Sequence, residues 1–213
     1  MHKAQSSIIY DPVELLKRHD PGNRLERYYH VLFEENNRIN LVSRETGKAR
    51  SIGTESYSGL KMLAAQSLLP FERITLDGIE NYLDIGSGGG FPAIPILLTQ
   101  RVRQATLVER TKKKAGALRR MLLALDLKAD IISQSFEELT FDHYFDLITL
   151  RQVKLTRRLL GKIFSALQPN GIFIYYSFPE FTVVEPSLQV LTYHYSTGSD
   201  DPVRKFTIFR GRT

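Results

Sequence analysis

The chain contains no cysteine. Disulfides, thiolate metal sites and cysteine nucleophiles are therefore excluded. Its five histidines (His2, His19, His30, His143 and His194) are scattered, with no two at a metal-ligand spacing, so no metal site is expected. No apolar run approaches the roughly 20 residues that span a bilayer. The stretch Met1 to Tyr10 lacks the long apolar segment of a secretory signal. These absences predict a cytoplasmic protein with no membrane partner. Internal repeats and low-complexity segments are also missing.

What remains is 213 residues of ordinary globular composition, enough for one core. The formal charge is +6, from 29 Lys and Arg against 23 Asp and Glu. A moderate basic excess is either a solubility charge or the footprint of an anionic partner, for which nucleic acid is the usual candidate. Composition alone leaves both open.

Periodicity divides the chain into three zones. From about residue 11 to 70 the pattern is helical: Leu25, Tyr28, Tyr29, Leu32 and Phe33 share one stripe, and Leu60, Leu63, Ala64 and Leu68 another, stopped by Pro70. Asn40 to Arg44 lies between them as a loop. The second zone alternates strands and helices. Strands are predicted at Tyr82 to Ile85, Ala105 to Val108, Ile131-Ile132, Phe145 to Leu150 and Ile172 to Tyr176. Helices are predicted at Ala93 to Leu98, along the stripe Ala115 to Leu125, and from Leu155 to Leu167, the last ended by Pro169-Asn170-Gly171. This alternation predicts a parallel sheet covered on both faces. In the third zone, Leu188 to Tyr195 and Arg204 to Phe209 read as two strands joined by a turn-rich loop, and these should pair antiparallel. The expectation is a Rossmann-like α/β fold of the class I methyltransferase type: a mostly parallel, seven-stranded sheet ending in an antiparallel hairpin. An N-terminal helical extension (1–70) would pack on the core (71–213), giving one structural domain.

The sharpest feature is Asp84-Ile85-Gly86-Ser87-Gly88-Gly89-Gly90-Phe91-Pro92, between a strand and a helix at the sheet edge where open α/β folds bind ligands. A dinucleotide loop would read Gly-x-Gly-x-x-Gly, whereas Phe91 occupies its third glycine position and would obstruct close helix packing. A Walker A continuation is absent as well. The alternating glycines instead predict S-adenosylmethionine as the ligand. Glu109, ending the next strand, is placed to accept hydrogen bonds from both ribose hydroxyls; otherwise it is a solvated loop acid. Asp84 either bonds the backbone of the glycine loop or also faces the cofactor's amino group. Ser135-Phe136-Glu137-Glu138 follows the third strand. It either frames the adenine, with Phe136 stacked and Glu137 beside it, or is a helix start with acids in its first turn.

Gly90-Phe91-Pro92-Ala93-Ile94-Pro95 is more specific than the glycine loop and resembles the GidB/RsmG family of 16S ribosomal RNA guanine-N7 methyltransferases. Leu107 to Lys114 is similar to the family's second-strand motif, an acid followed by basic residues, and Arg151 matches its Arg after the fourth strand. Asn36 to Ser43 resembles its N-terminal Asn-Leu stretch. The resemblance runs from about residue 25 to the end. It departs at Ser135 and at Tyr176-Ser177-Phe178, where the family has basic residues, and no counterpart of its His-x-x-Asp-Ser motif stands near Tyr57 to Leu63. Membership implies cofactor contacts from Asp84, Gly86, Ser87, Gly88, Gly90, Phe91, Glu109, Phe136, Glu137 and Arg151. It further implies a monomeric enzyme that acts on ribosomal RNA or the small ribosomal subunit.

Guanine N7 carries a lone pair and no proton, so its methylation needs no general base; alignment and exclusion of water are the enzyme's work. No amino-methyltransferase motif follows the fourth strand, where the chain reads Thr149-Leu150-Arg151-Gln152-Val153. Arg151 is the candidate catalytic residue, its planar fork suited to a phosphate or a guanine edge; the bland reading is a salt bridge to Asp146 or a glutamate. Lys113, Arg151 and Lys154 are the candidate RNA contacts. Two other readings stay open: a methyltransferase of this fold acting on a small molecule or protein, and a non-catalytic module that kept the cofactor pocket.

Overall fold

The computed structural model describes residues 6–43, 46, 57–177, 188–198 and 202–211. All seven expected strands are present: β2 (Asn81–Ile85), β3 (Gln104–Val108), β4 (Asp130–Ile132), β5 (Phe145–Arg151), β6 (Leu167–Ser177), β7 (Leu188–Ser196) and β8 (Arg204–Gly211). An eighth, β1 (Ser6–Ile9), had no counterpart in the sequence reading. It pairs parallel to β7, with Ile8 opposite Tyr195. Four residues reading Ser-Ser-Ile-Ile carry too little alternation to announce a strand.

The sheet runs in the order β1-β7-β8-β6-β5-β2-β3-β4. Strands β2 to β6 are mutually parallel, and β8 is antiparallel to both β6 and β7. Side chains alternate between two apolar clusters, as a pleated sheet covered on both faces requires. Tyr82, Leu107, Leu147, Ile174 and Phe206 point into one cluster. Leu83, Val108, Ile148, Phe173 and Phe209 point into the other.

Helices α1 (Pro12–His19), α2 (Arg24–Arg38), α3 (Ser58–Leu68), α4 (Ala93–Leu98) and α5 (Lys112–Ala124) supply the first cluster. The N-terminal helices thus share one core with the sheet: Leu15, Tyr28, Leu32 and Leu60 pack in the same cluster as Leu107 and Ile174. Asp11 caps α1, accepting hydrogen bonds from the backbone of Val13 and Glu14 at 2.8 and 3.2 Å. Helix α6 (Arg157–Ala166) covers the other face and is capped by Thr156, whose hydroxyl accepts from the Leu159 N–H at 3.1 Å. Pro169-Asn170-Gly171 does not separate α6 from β6. The strand starts at Leu167, directly after the helix, and its register with β5 shifts between Phe145 and Leu147. That irregularity takes up the proline, which has no N–H to give a regular ladder. No helix among the described residues is long and apolar enough to cross a membrane.

Candidate cofactor and acceptor site

The order β5-β2-β3 puts the reversal of connection direction beside β2, and a crevice opens there at the C-terminal ends of the parallel strands. A cavity of about 690 Å³ occupies it. The glycine loop is its floor. The N–H groups of Gly86 and Ser87 both donate to the Val108 carbonyl, at 2.8 and 3.1 Å, and the Gly90 N–H donates to the Ser87 carbonyl at 2.7 Å. Gly86, Gly88 and Gly90 have φ of +75, +51 and +94°, backbone that L side chains rarely adopt. Gly86, Ser87, Gly88 and Phe91 line the cavity. Gly90 lies behind it: a Cβ there would sit 2.5 Å from Ile94 Cδ1 and 3.0 Å from the Tyr28 hydroxyl. Its glycine is required by packing against α4 and α2.

Glu109 sits in the wall and is buried. One carboxylate oxygen accepts from the Gly88 N–H at 3.0 Å and the other from the Thr111 N–H at 2.7 Å. It is not a solvated acid; it ties the glycine loop to the end of β3. Each oxygen keeps a second lone pair for a ligand hydroxyl.

Asp84 lies beneath the loop, fully buried, outside the cavity wall. Burial raises its pKa from 3.8 to about 6, against the lowering effect of the Thr149 hydroxyl. Thr149 Oγ1 donates to Asp84 Oδ1 at 2.6 Å, and Tyr82 Oη lies 2.7 Å from the same Thr149 oxygen. With the hydroxyl proton of Thr149 committed to the carboxylate, Tyr82 must donate to Thr149. Asp84 Oδ2 is buried without a hydrogen-bond partner.

Phe136 and Glu137 both reach the cavity, from a short 3₁₀ turn (Phe136–Glu138) with Glu137 and Glu138 in its first turn. The segment is a helical start with acids in its first turn, and it lines the cavity. Phe136 is also a core residue, stacked on Phe141 at 6.3 Å. The Glu137 carbonyl accepts from the Lys162 ammonium.

Arg151 ends β5 and lines the cavity. It forms no salt bridge with Asp146, whose carboxylate accepts from the backbone of Glu80 and Asn81 at 3.1 and 2.8 Å. Instead, Arg151 Nη2 donates to Gln66 Oε1 at 2.8 Å, and the guanidinium lies 5.7 Å from the Tyr176 ring centroid. Nη1 is buried without a partner. Burial pulls the guanidinium pKa below its usual value. Lys154 is exposed on the rim of the cavity. Lys113 is exposed and outside the wall; its neighbour Lys114 is half-buried and inside it.

Some contributors were hidden from sequence reasoning, and the Asn36 to Ser43 stretch was marked by resemblance alone. Tyr28 was legible only as one member of a core stripe. Its hydroxyl donates to the Gly89 carbonyl at 2.8 Å, and its ring lies 5.1 Å from Phe91. Leu41, Val42 and Ser43 close one side of the cavity. They are held there by Asn36, whose Oδ1 accepts from the Leu41 and Val42 N–H groups at 2.8 and 3.0 Å. Gln66, a polar residue of the mostly apolar α3, gave no sign of its partner. Of the segments singled out by sequence, Arg44 and Phe178 lie outside the described residues. Among the described residues no cluster of His, Asp or Glu could hold a metal ion.

Residues 22–178 match the family model GidB, described as rRNA small subunit methyltransferase G. A ribosomal RNA small subunit methyltransferase G of Laribacter hongkongensis is 34% identical over 152 residues, 67% of this chain and 67% of the relative. The protein of that name from Mycoplasmopsis pulmonis is 32% identical over 130 residues, 61% of this chain and 52% of the relative. The matched region thus spans about half the length of that relative. Among solved structures, the T. thermophilus 16S rRNA N2 G1207 methyltransferase, in complex with AdoMet and guanosine, superimposes with a TM-score of 0.53 at 21% identity, covering 71% of this chain and 43% of that one. That likeness speaks for the fold. Since the family match runs through α2, the glycine loop, Glu109 and Arg151 alike, the chain belongs to the GidB family of rRNA small subunit methyltransferase G.

Proposed function

We propose that this protein is an S-adenosylmethionine-dependent RNA methyltransferase that acts on guanine N7 of 16S ribosomal RNA, and therefore works in the cytoplasm. The observation that carries the reading is one cavity bringing together a glycine cradle, the carboxylate that braces it and an arginine held by a glutamine amide. The family and the names of its members support the RNA acceptor.

The residues fit the cofactor. The loop at Gly86 to Gly88 lets backbone approach a ligand without a Cβ in the way, and Glu109 offers unused lone pairs to the ribose. Phe136 and Glu137 border the adenine end. When bound, S-adenosylmethionine supplies an electrophilic methyl group on a positive sulfonium. The chain's own residues have three tasks. Tyr28 and Glu109 hold the glycine loop and Asn36 holds the Leu41-Val42 segment, so that a bound ligand pays little ordering entropy. Leu41, Val42 and Phe91 exclude water from one side. Arg151, fixed by Gln66 and the Tyr176 ring, positions the nucleotide from the acceptor side. No residue need take a proton, because guanine N7 has none to lose. The Glu109 carboxylate in the cavity wall is already engaged by backbone N–H groups.

The test is methyl transfer to 16S rRNA from cells lacking this protein, with labelled cofactor and nucleoside mass spectrometry. 7-Methylguanosine is the expected product. Unlabelled RNA in the presence of cofactor-loaded protein would contradict the assignment.

A further inference from the structure

Guanine is not the only base with a free N7. Adenine carries the same in-plane lone pair, so the reacting atom alone gives no ground for choosing between them. The two bases differ at positions 6 and 1. Guanine shows an O6 acceptor beside an N1–H donor, whereas adenine shows a 6-amino donor beside a bare acceptor nitrogen. A site that selects guanine therefore needs a group that only donates, set against O6, and an acceptor for N1–H. O6 shares the N7 edge and N1 comes next around the ring, so neighbouring groups of one loop suffice.

The segment after β5 carries such a pair. Val153 is its inward anchor. Its side chain packs against the second apolar cluster and presses on Gly86, where an added Cβ would sit 3.0 Å from Val153 Cγ2. The Val153 carbonyl accepts from the Tyr175 hydroxyl at 3.1 Å. On the other side, Arg151 is tied to Gln66 at 2.8 Å. Between these fixed points Gln152 takes φ +56°, a backbone that non-glycine residues rarely adopt and that persists only where its surroundings impose it. Gln152 and Lys154 flank the anchor, are exposed, and line the wall of the main cavity. Among the described residues neither side chain has a hydrogen-bond or ion-pair partner.

We propose that Gln152 and Lys154 read the acceptor base: the Lys154 ammonium donates to O6, and the Gln152 side-chain carbonyl accepts from N1–H. The proposal rests on the guanine N7 reading given above. A glutamine amide alone turns over to suit either purine, since it holds both an acceptor and donors. The ammonium removes that freedom. It has donors only, and it meets the 6-amino group of adenine as donor against donor. The fixed backbone limits the ordering cost of the contact to the two side chains.

The test is methyl transfer, measured as kcat/KM, to synthetic copies of the 16S rRNA segment that nucleoside mass spectrometry identifies, with guanosine, inosine or adenosine at the acceptor position. Inosine keeps O6 and N1–H and lacks only the 2-amino group. Wild-type protein should methylate it nearly as well as guanosine, and adenosine at least about a hundredfold less well. Gln152→Gly suits the φ of +56° and so should fold, while removing the amide. It and Lys154→Met should each lower the guanosine-to-adenosine ratio about tenfold. Affinity for S-adenosylhomocysteine should stay the same in both. An unaltered ratio in either folded variant would overturn the pair, and a loss of rate equal on both RNAs counts as unaltered, because it marks a backbone contact. Inosine as poor as adenosine would overturn it too. Transfer to guanosine with unaltered ratios removes the pair and leaves the enzyme. A falling ratio with the methyl group on another guanine atom keeps the pair and removes the N7 assignment. No transfer by the wild type to 16S rRNA removes both.

Discussion

Two residues packed behind the cavity, Gly90 and Asp84, each yield a measurable consequence. Gly90 holds φ +94° with Ile94 and the Tyr28 hydroxyl pressed on its α-carbon. Gly90→Ala should lose about 1–3 kcal/mol of stability through strain and overlap, read as a lower melting temperature. Asp84 is an acid whose folded pKa of about 6 lies above its ordinary 3.8. Its ionisation therefore opposes folding: the favourable contribution is complete below pH 3.8 and is lost as pH rises through 6, a swing of about 3 kcal/mol. Asp84→Asn should gain stability relative to the parent at pH 8, and that gain should shrink toward pH 4. Urea melts at the two pH values check this, and a pH-independent difference would refute it. The glycine loop and Glu109 were legible because backbone conformation and spacing betray them. Gln66 and Thr149 were not, since their partners are 85 and 65 positions distant and no local pattern records such pairing.

At the scale of elements, the helical extension is part of the site. Tyr28 of α2 bonds the glycine loop and Asn36 of the same helix anchors the Leu41-Val42 segment over it. Helix α2 is in turn clipped to α5 through Glu35, which pairs with Arg120 at 2.6 Å and Arg38 at 2.9 Å. Tyr28→Phe should remove about 1 kcal/mol of stability and weaken cofactor affinity with it, whereas a helix that merely covered the core would show the first effect alone. Parallel calorimetric and thermal measurements distinguish the two. The alternation of strands and helices was plain in the sequence because buried parallel strands are apolar runs with fixed spacing. The start of β6 was obscured by Pro169-Asn170-Gly171, a strong turn signal that the sheet absorbs as an irregularity. Strand β1 was obscured by its brevity and by drawing its hydrogen bonds from a distant partner.

At the scale of the molecule, the count of 29 Lys and Arg overstates the free basic surface. Arg120 and Arg38 are committed to Glu35, Arg18 to Glu72 and Arg103 to Glu80. The cations that line the cavity, among them Arg151 of β5 and Lys114 of α5, come from different elements and form no linear patch. Composition therefore could not decide between a solubility charge and a nucleic-acid footprint; folding concentrates the relevant charges at one end of the sheet. The central claim is that this end grips an adenosyl ligand through a braced glycine loop. Isothermal calorimetry with S-adenosylhomocysteine tests it most directly. Stoichiometric uptake by the wild type, weakened at least about tenfold in a folded Glu109→Ala variant by loss of charge-assisted hydrogen bonds, is the predicted result. No heat of binding from folded wild-type protein at millimolar ligand, or equal affinity in the variant, would contradict it.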